Sequence, residues 1–253
     1  MKINDFLKQI ASDIKTTNKN LTKEDYYYIL KYVGIKRDKS LVNDIEEFYT
    51  NFLDSLNNSL VRHIVRKTGK SENTTHYIGF YTDKRANYRE SYKVYFPVKY
   101  EYMISALKTI FSYLIRNNIE SVVKFHVKAT NENIVIRFYH QEDVLPFINY
   151  CNNNFILDDL LERVNPFIAT IYGIGILRDD NTIDTYNGTL SSILAEYFTF
   201  LKNNDALDKI SDLHFLDYLL KKEAATENEI IKFNLQAIEK NIKAILSRTS
   251  PID

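Results

Sequence analysis

The chain has no tryptophan, a single cysteine and no net charge. One cysteine excludes an internal disulfide framework and any cysteine-built zinc cluster. Cys151 precedes Asn152-Asn153-Asn154 and reads as a small buried side chain rather than a nucleophile. Lysine and arginine total 33, and so do aspartate and glutamate. No global field therefore advertises nucleic acid or anionic membrane, and any anion site is local. No run approaches the ~18 apolar residues of a membrane span, and charges interrupt the N-terminal MKINDFLKQIASDIK. The expectation is a cytoplasmic, reduced protein without membrane or nucleic-acid partners. The histidines (His63, His76, His126, His140, His214) supply no spaced pair on one helix face, so no metal site is expected. Gly173-Ile174-Gly175 lacks the third glycine and following helix of a dinucleotide fingerprint. A nucleophile elbow, a glycine-rich loop and a kinase catalytic motif are also missing.

What is present has the balance of a folded globular protein, 253 residues with 45% hydrophobic and 26% charged. We read one domain over 1–253, with a helical part at 1–66, an α+β core at 90–200 and C-terminal helices at 206–248. Phe6, Leu7, Ile10 and Ile14 make a stripe that predicts a helix over 4–15. A second is predicted over 21–34, with Thr22 and Asp25 spaced as a capping box and Gly34 as C-cap. A long helical stretch follows over about 41–66, breaking near Asn57-Asn58-Ser59, where Asn58 caps a second piece. Residues 67–91 read as a polar loop with a short strand at Tyr77–Tyr81. Residues 91–100 alternate as a strand, Val94, Phe96 and Val98 opposite Lys93, Tyr95 and Pro97. Pro97 marks an edge or a strand end.

Helices are predicted over 101–116, 142–152 and 155–161, Pro146 being tolerable only in a first turn. Residues 166–177 read as one buried strand in which Gly173 and Gly175 permit close backbone approach. Turns are expected at 178–181 and 186–188, then helices over 190–201 (Thr189 as cap), 206–222 and 227–248. The fold class that follows is α+β: a small, mostly antiparallel sheet flanked by N- and C-terminal helices.

The most informative stretch is VVKFHVKATNENIVIRFYH, residues 122–140. Two alternating runs flank Thr130-Asn131-Glu132-Asn133, which is turn chemistry. A regular hairpin closed there sets Lys128 opposite Val135, His126 opposite Arg137 and Lys124 opposite Tyr139. Phe125, Val127, Ile134, Ile136 and Phe138 then form a core face. The other face carries Lys124, His126, Lys128, Val135, Arg137 and Tyr139, with no carboxylate. Opposed like charges cost roughly tenths of a kcal/mol or more per pair. That face therefore either awaits an anion or is neutralised by a carboxylate from elsewhere in the fold. Arg85 and Arg89, in the preceding loop, either reach a neighbouring anion or stay solvated.

Lys93-Val-Tyr95-Phe, then a helix, then Lys124 on the next strand form an ordered set. Ile136-Arg137-Phe138-Tyr139-His140-Gln141-Glu142-Asp143, Gly173-Ile174-Gly175 and Thr185-Tyr186-Asn187-Gly188 complete it. Over roughly residues 90–200 this order resembles the lyase component of class V lanthipeptide and thioamitide biosynthesis. That family is related to the HopA type III effectors of plant pathogens. More distantly the order resembles the phosphothreonine lyase effectors of enteric pathogens. Those carry histidine where Tyr95 stands here, an arginine near Asn131 and another in the stretch 190–196, which has none here.

The resemblance implies β-elimination of phosphate from phosphoserine or phosphothreonine, giving dehydroalanine or dehydrobutyrine without cofactor or metal. The substrate would be a precursor peptide phosphorylated by a separate Ser/Thr kinase. By matching position, Lys124 is the candidate base, made neutral by cation crowding and desolvation. Lys93 is the candidate for stabilising enolate-like charge or holding phosphate. Tyr95, failing that His126, is the candidate acid. Arg137 and Lys128, with Arg85 and Arg89, are the phosphate-binding candidates. The alternatives are a non-catalytic relative that binds a leader peptide or the kinase, and an effector acting on host phosphoproteins.

Overall fold

A computed structural model describes residues 1–33, 50–52, 54–56, 65–69, 77–81, 90–126, 130–155, 157, 161, 164–180 and 185–249. Its centre is an antiparallel sheet. The strands are β1 (Val65–Gly69), β2 (Tyr77–Tyr81), β3 (Glu90–Phe96), β4 (Ser121–His126), β5 (Ile134–Phe138), β6 (Ala169–Ile171) and β7 (Ile174–Asp180). They lie side by side in the order β1-β2-β4-β5-β3-β7-β6, and every pairing among them is antiparallel. The helices are α1 (Ile3–Thr17), α2 (Lys23–Tyr32), α3 (Met103–Arg116), α4 (Val144–Asn154), α5 (Tyr186–Asn203), α6 (Asp212–Ala224) and α7 (Glu229–Ser247). The class is α+β, as the patterning predicts, though the sheet is larger than expected.

Strand side chains alternate faces, so the sheet has two sides with separate cores. Val94, Phe96, Val123, Phe125, Ile134, Ile136 and Phe138 pack beneath α3 and α4, and Phe52 joins them. The Phe52 ring lies 5.6 Å from Phe111 and 6.2 Å from Phe125. Tyr95 and Leu177, from the other side, pack with apolar residues of α1, α2, α5, α6 and α7. Tyr26 of α2 stacks on Phe198 of α5 at 5.7 Å. The sheet is thus a middle layer between two helical layers.

The capping box of α2 forms as its spacing predicts. Asp25 N–H donates to Thr22 Oγ1 at 3.2 Å, and Thr22 N–H donates to Asp25 Oδ2 at 2.9 Å. The Thr22 N–H, with the Thr22 hydroxyl donating to the same Oδ2 at 3.0 Å, holds the Asp25 carboxyl below its ordinary pKa. Pro146 falls in the first turn of α4, where its missing N–H costs no intrahelical bond. Gly34, the Asn57–Ser59 break and Val127 lie outside the described residues.

Several readings of the sequence need correction. The pairing of β4 with β5 sets Val135 opposite Lys124, not Lys128, and Arg137 opposite Val122, not His126. The slip is even, so the two faces keep the residues assigned to them. Its cause is that residues 130–133 are not a surface turn. Thr130, Asn131, Glu132 and Asn133 are all buried; the side chains of Asn131, Glu132 and Asn133 bond to Leu30, Asn187 and Val98, and Thr130 Oγ1 accepts from Glu132 N–H. Val65 and Arg66 end no helix; they begin β1, which extends the sheet past β2.

Residues 166–177 are not one strand. Ala169–Ile171 and Ile174–Asp180 pair through a two-residue turn at Tyr172 and Gly173, both with positive φ (52° and 81°). β7 then runs through Arg178 to Asp180, where a turn was expected. Finally, Tyr186–Gly188 are the first turn of α5. Thr185 Oγ1 accepts from Gly188 N–H at 3.2 Å, so the cap is Thr185 and not Thr189. Beyond α4, Phe155 is extended and Leu161 bridges Val98; the rest of the helix expected over 155–161 is undescribed apart from Leu157.

Gly175 shows how tightly β7 is enclosed. A Cβ there would meet Ile168 Cγ2 at 2.8 Å, Val164 Cγ1 at 3.0 Å and Tyr95 Cβ at 3.2 Å. Gly175→Ala is expected to destabilise the protein by about 1–3 kcal/mol. Urea unfolding checks this, and an unchanged midpoint at equal slope counts against the packing described.

Candidate functional site

On the face shared with α1, α2, α5, α6 and α7, the register builds two rows across four strands. One runs Lys124, Val135, Tyr95, Gly175; the next runs Val122, Arg137, Lys93, Leu177. Arg137 and Lys93 are therefore directly opposed on adjacent strands, with Cβ atoms roughly 4.5–5.5 Å apart. Lys124 sits one strand further and one row over, diagonal to Arg137, at roughly 7–8 Å. Exposure rises along the same direction: Lys93 is 7% exposed, Arg137 half-buried and Lys124 exposed. On this face the helical layer packs against Leu177 of β7 and Tyr95 of β3, while on β4 Val122 is buried and Lys124 exposed.

Three predicted site residues thus come together: Lys93, Arg137 and Lys124. Tyr95 is in the same face but 4% exposed, packed in the helix-side core. His126 closes β4 opposite Tyr77, two positions past Lys124 and beyond the last β5 pair. Arg85, Arg89 and Lys128 lie outside the described residues. Cys151 is fully buried, and burial pushes its thiol pKa up, which fits a packing role.

Sequence reasoning missed the carboxylate. Glu132 is 8% exposed, with Lys31 of α2 (8%) and Lys93 near enough for their charges to act on it. Burial raises its pKa above the ordinary carboxyl value, while Lys31 and Lys93 pull it down; burial prevails. Glu132 Oε1 accepts a hydrogen bond from the Asn187 side-chain amide. Asn187 Oδ1 in turn accepts from Asn165 Nδ2 at 3.2 Å. Asn187 lies in the first turn of α5, so Glu132 meets the positive end of that helix.

The segment is fixed on both sides of Glu132. Asn131 N–H donates to Lys31 O at 3.2 Å and its side chain to Leu30 O at 2.5 Å, serving carbonyls at the end of α2. Asn133 brackets Val98: its Oδ1 accepts from Val98 N–H at 2.9 Å and its Nδ2 donates to Val98 O. Tyr27 of α2 stands at the rim, 37% exposed, its phenol pushed up to about 12 by burial and by the Glu132 charge. No periodicity marks Glu132 or Lys31. The usable signal was the Thr185-to-Gly188 cap spacing, which places Asn187 at a helix start.

No protein-family model matches the chain, and no curated protein matches it. Solved structures do. An effector protein from Pseudomonas syringae pv. tomato strain DC3000 superposes with a TM-score of 0.62, covering 90% of this chain and 95% of that one at 10% identity. An effector protein from Pseudomonas syringae pv. syringae strain 61 gives 0.56, covering 86% and 92% at 12% identity. The chain thus has the fold of these bacterial effector proteins, along nearly its whole length. No helix among the described residues is long and apolar enough to cross a membrane.

Proposed function

We propose that the protein eliminates phosphate from phosphoserine or phosphothreonine. The observation that carries the reading is the direct opposition of Lys93 and Arg137, with Lys124 on the next strand of the same face. Two cations side by side on adjacent strands offer charge-assisted donors to the oxygens of a phosphate dianion. Lys124 Nζ takes the Cα proton, the C–H electrons form the Cα=Cβ bond, and the Cβ–O bond breaks. Phosphate departs against Lys93 and Arg137, leaving dehydroalanine or dehydrobutyrine. Lys124 is exposed in the free protein, and it acts as the base in its neutral form.

The substrate we infer is a precursor peptide of a lanthipeptide-type pathway, phosphorylated by a separate kinase. Host phosphoproteins are the second reading, favoured by the effector proteins that share the fold. A non-catalytic phosphopeptide- or kinase-binding role is favoured by one observation, the burial of Tyr95 away from any substrate.

Mass spectrometry of a phosphothreonine peptide, alone and as the cognate precursor with its kinase, separates these. Loss of phosphoric acid is expected, with Lys124→Ala lowering the rate by about 10²–10⁴-fold. Binding without loss of phosphoric acid from any phosphorylated peptide sinks the lyase and leaves the binder.

A further inference from the structure

Resting on the lyase reading, one step still needs a residue: the proton for the departing phosphate. A phosphoester dianion that leaves without one departs as a trianion. Tyr95 lies 4% exposed among apolar side chains, and His126 stands past the last β4–β5 pair. We propose that Glu132 is the general acid of this site, handing its carboxyl proton to the bridging oxygen as the Cβ–O bond breaks.

The placement is built rather than incidental. A carboxyl that is 8% exposed sits beside Lys93, the buried member of the cation row. Its chain neighbours are locked, Asn131 to α2 and Asn133 to Val98. Asn187 donates to Oε1, which fixes that oxygen as an acceptor and leaves Oε2 to carry the proton when the carboxyl is protonated. The titratable and charged groups facing it are Tyr27 and Lys31 of α2 and Lys93 of β3, with Arg137 opposite Lys93. Asn187 and Asn165 are neutral.

Binding loads this acid. Burial already favours the protonated carboxyl, and the two lysines oppose it. A phosphate dianion seated on Lys93 and Arg137 adds negative charge nearby, which favours protonation further. During turnover Lys124 gains the Cα proton, Glu132 loses its own, and phosphate leaves as hydrogen phosphate. Solvent then returns Lys124 to the amine and Glu132 to the acid, so the cycle closes without a co-reactant.

The sign of the pH dependence follows. The active form of Glu132 is protonated, so kcat for elimination falls as pH rises through its pKa in the complex. Glu132→Gln keeps the acceptor for Asn187 and removes the proton. It is expected to lower kcat by about 10²–10⁴-fold with KM changed less than about threefold, and to abolish that alkaline limb. Glu132→Asp is expected to restore the limb at reduced rate. A readout independent of activity is the infrared carbonyl band of a protonated carboxylic acid. It should grow when phosphothreonine peptide is added to wild type at neutral pH and be missing in Glu132→Gln.

The proposal is overturned if folded Glu132→Gln eliminates at the wild-type rate with the same limb, or if the band does not respond to peptide. Should Glu132→Gln fail to fold, Glu132→Asp and the wild-type band decide it. Wild type that binds the peptide and eliminates nothing overturns the lyase reading itself, and this one with it.

Discussion

Replacing Asn133 by alanine is expected to destabilise the protein by about 2–5 kcal/mol, far more than the loss of an ordinary polar side chain. Asn133 is 2% exposed and its amide brackets the backbone of Val98, which is fully buried. Alanine strips a donor and an acceptor from one residue at once. Each buried group so orphaned costs about 1–3 kcal/mol. Val98 N–H also points at Phe96 O at 2.9 Å, and Val98 bridges Leu161, so part of the loss is recovered locally. Asn133→Asp separates the two bonds. Its carboxylate still accepts from Val98 N–H but turns a second oxygen on Val98 O, where the native amide donates. It should therefore fall as far as alanine at neutral pH and recover toward acid pH, as the carboxyl gains a proton to donate. Urea unfolding of the three proteins checks this. A midpoint for Asn133→Ala within experimental error of wild type would show that the bracket carries no stability. Since Asn133 adjoins Glu132, the same variant should also loosen the carboxyl against Lys93, so function falls with the fold.

The faces of the sheet were legible in the alternation of Lys93, Tyr95, Lys124 and Arg137 because a two-residue period survives any even slip. The partners were not legible, since register depends on what residues 130–133 do with their side chains. Turn residues in a sequence look alike whether they meet water or the end of another helix. Here Asn131 reaches α2 and Asn133 reaches Val98, contacts between positions far apart in the chain. The capping box at Thr22 and Asp25 is the converse case, a local device with a local spacing, and it forms as written. Residues 166–177 failed as a single strand because Tyr172 takes the left-handed turn position beside Gly173, and tyrosine gives no hint of that. The missing carboxylate of the basic face could be named only as a type of residue. That it is Glu132, from the same hairpin, followed from its burial together with the Lys93 and Lys31 charges that act on it.

Arg137→Ala is expected to lower kcat/KM for elimination about 10²–10³-fold while leaving stability within about 1 kcal/mol of wild type, or raising it. The two halves belong to one argument. Arg137 directly opposes Lys93 in the ladder. Opposed like charges are destabilising by tenths of a kcal/mol, so alanine relieves a repulsion that offsets what the contacts of the Arg137 side chain contribute. Planar, bidentate donation to phosphate is the proposed use of Arg137, and Arg137→Lys, which keeps charge but loses the fork, should recover only part of the rate. Phosphothreonine peptide titration beside urea unfolding reads both halves on the same preparations. A stability loss above about 2 kcal/mol would mark Arg137 as a member of a structural ion pair, because breaking a buried pair is what costs that much. Unchanged peptide affinity would remove Arg137 from the phosphate site. Lost affinity at unchanged stability is the pattern of a residue kept for its ligand, and it would place the phosphate between β3 and β5, within reach of Lys93.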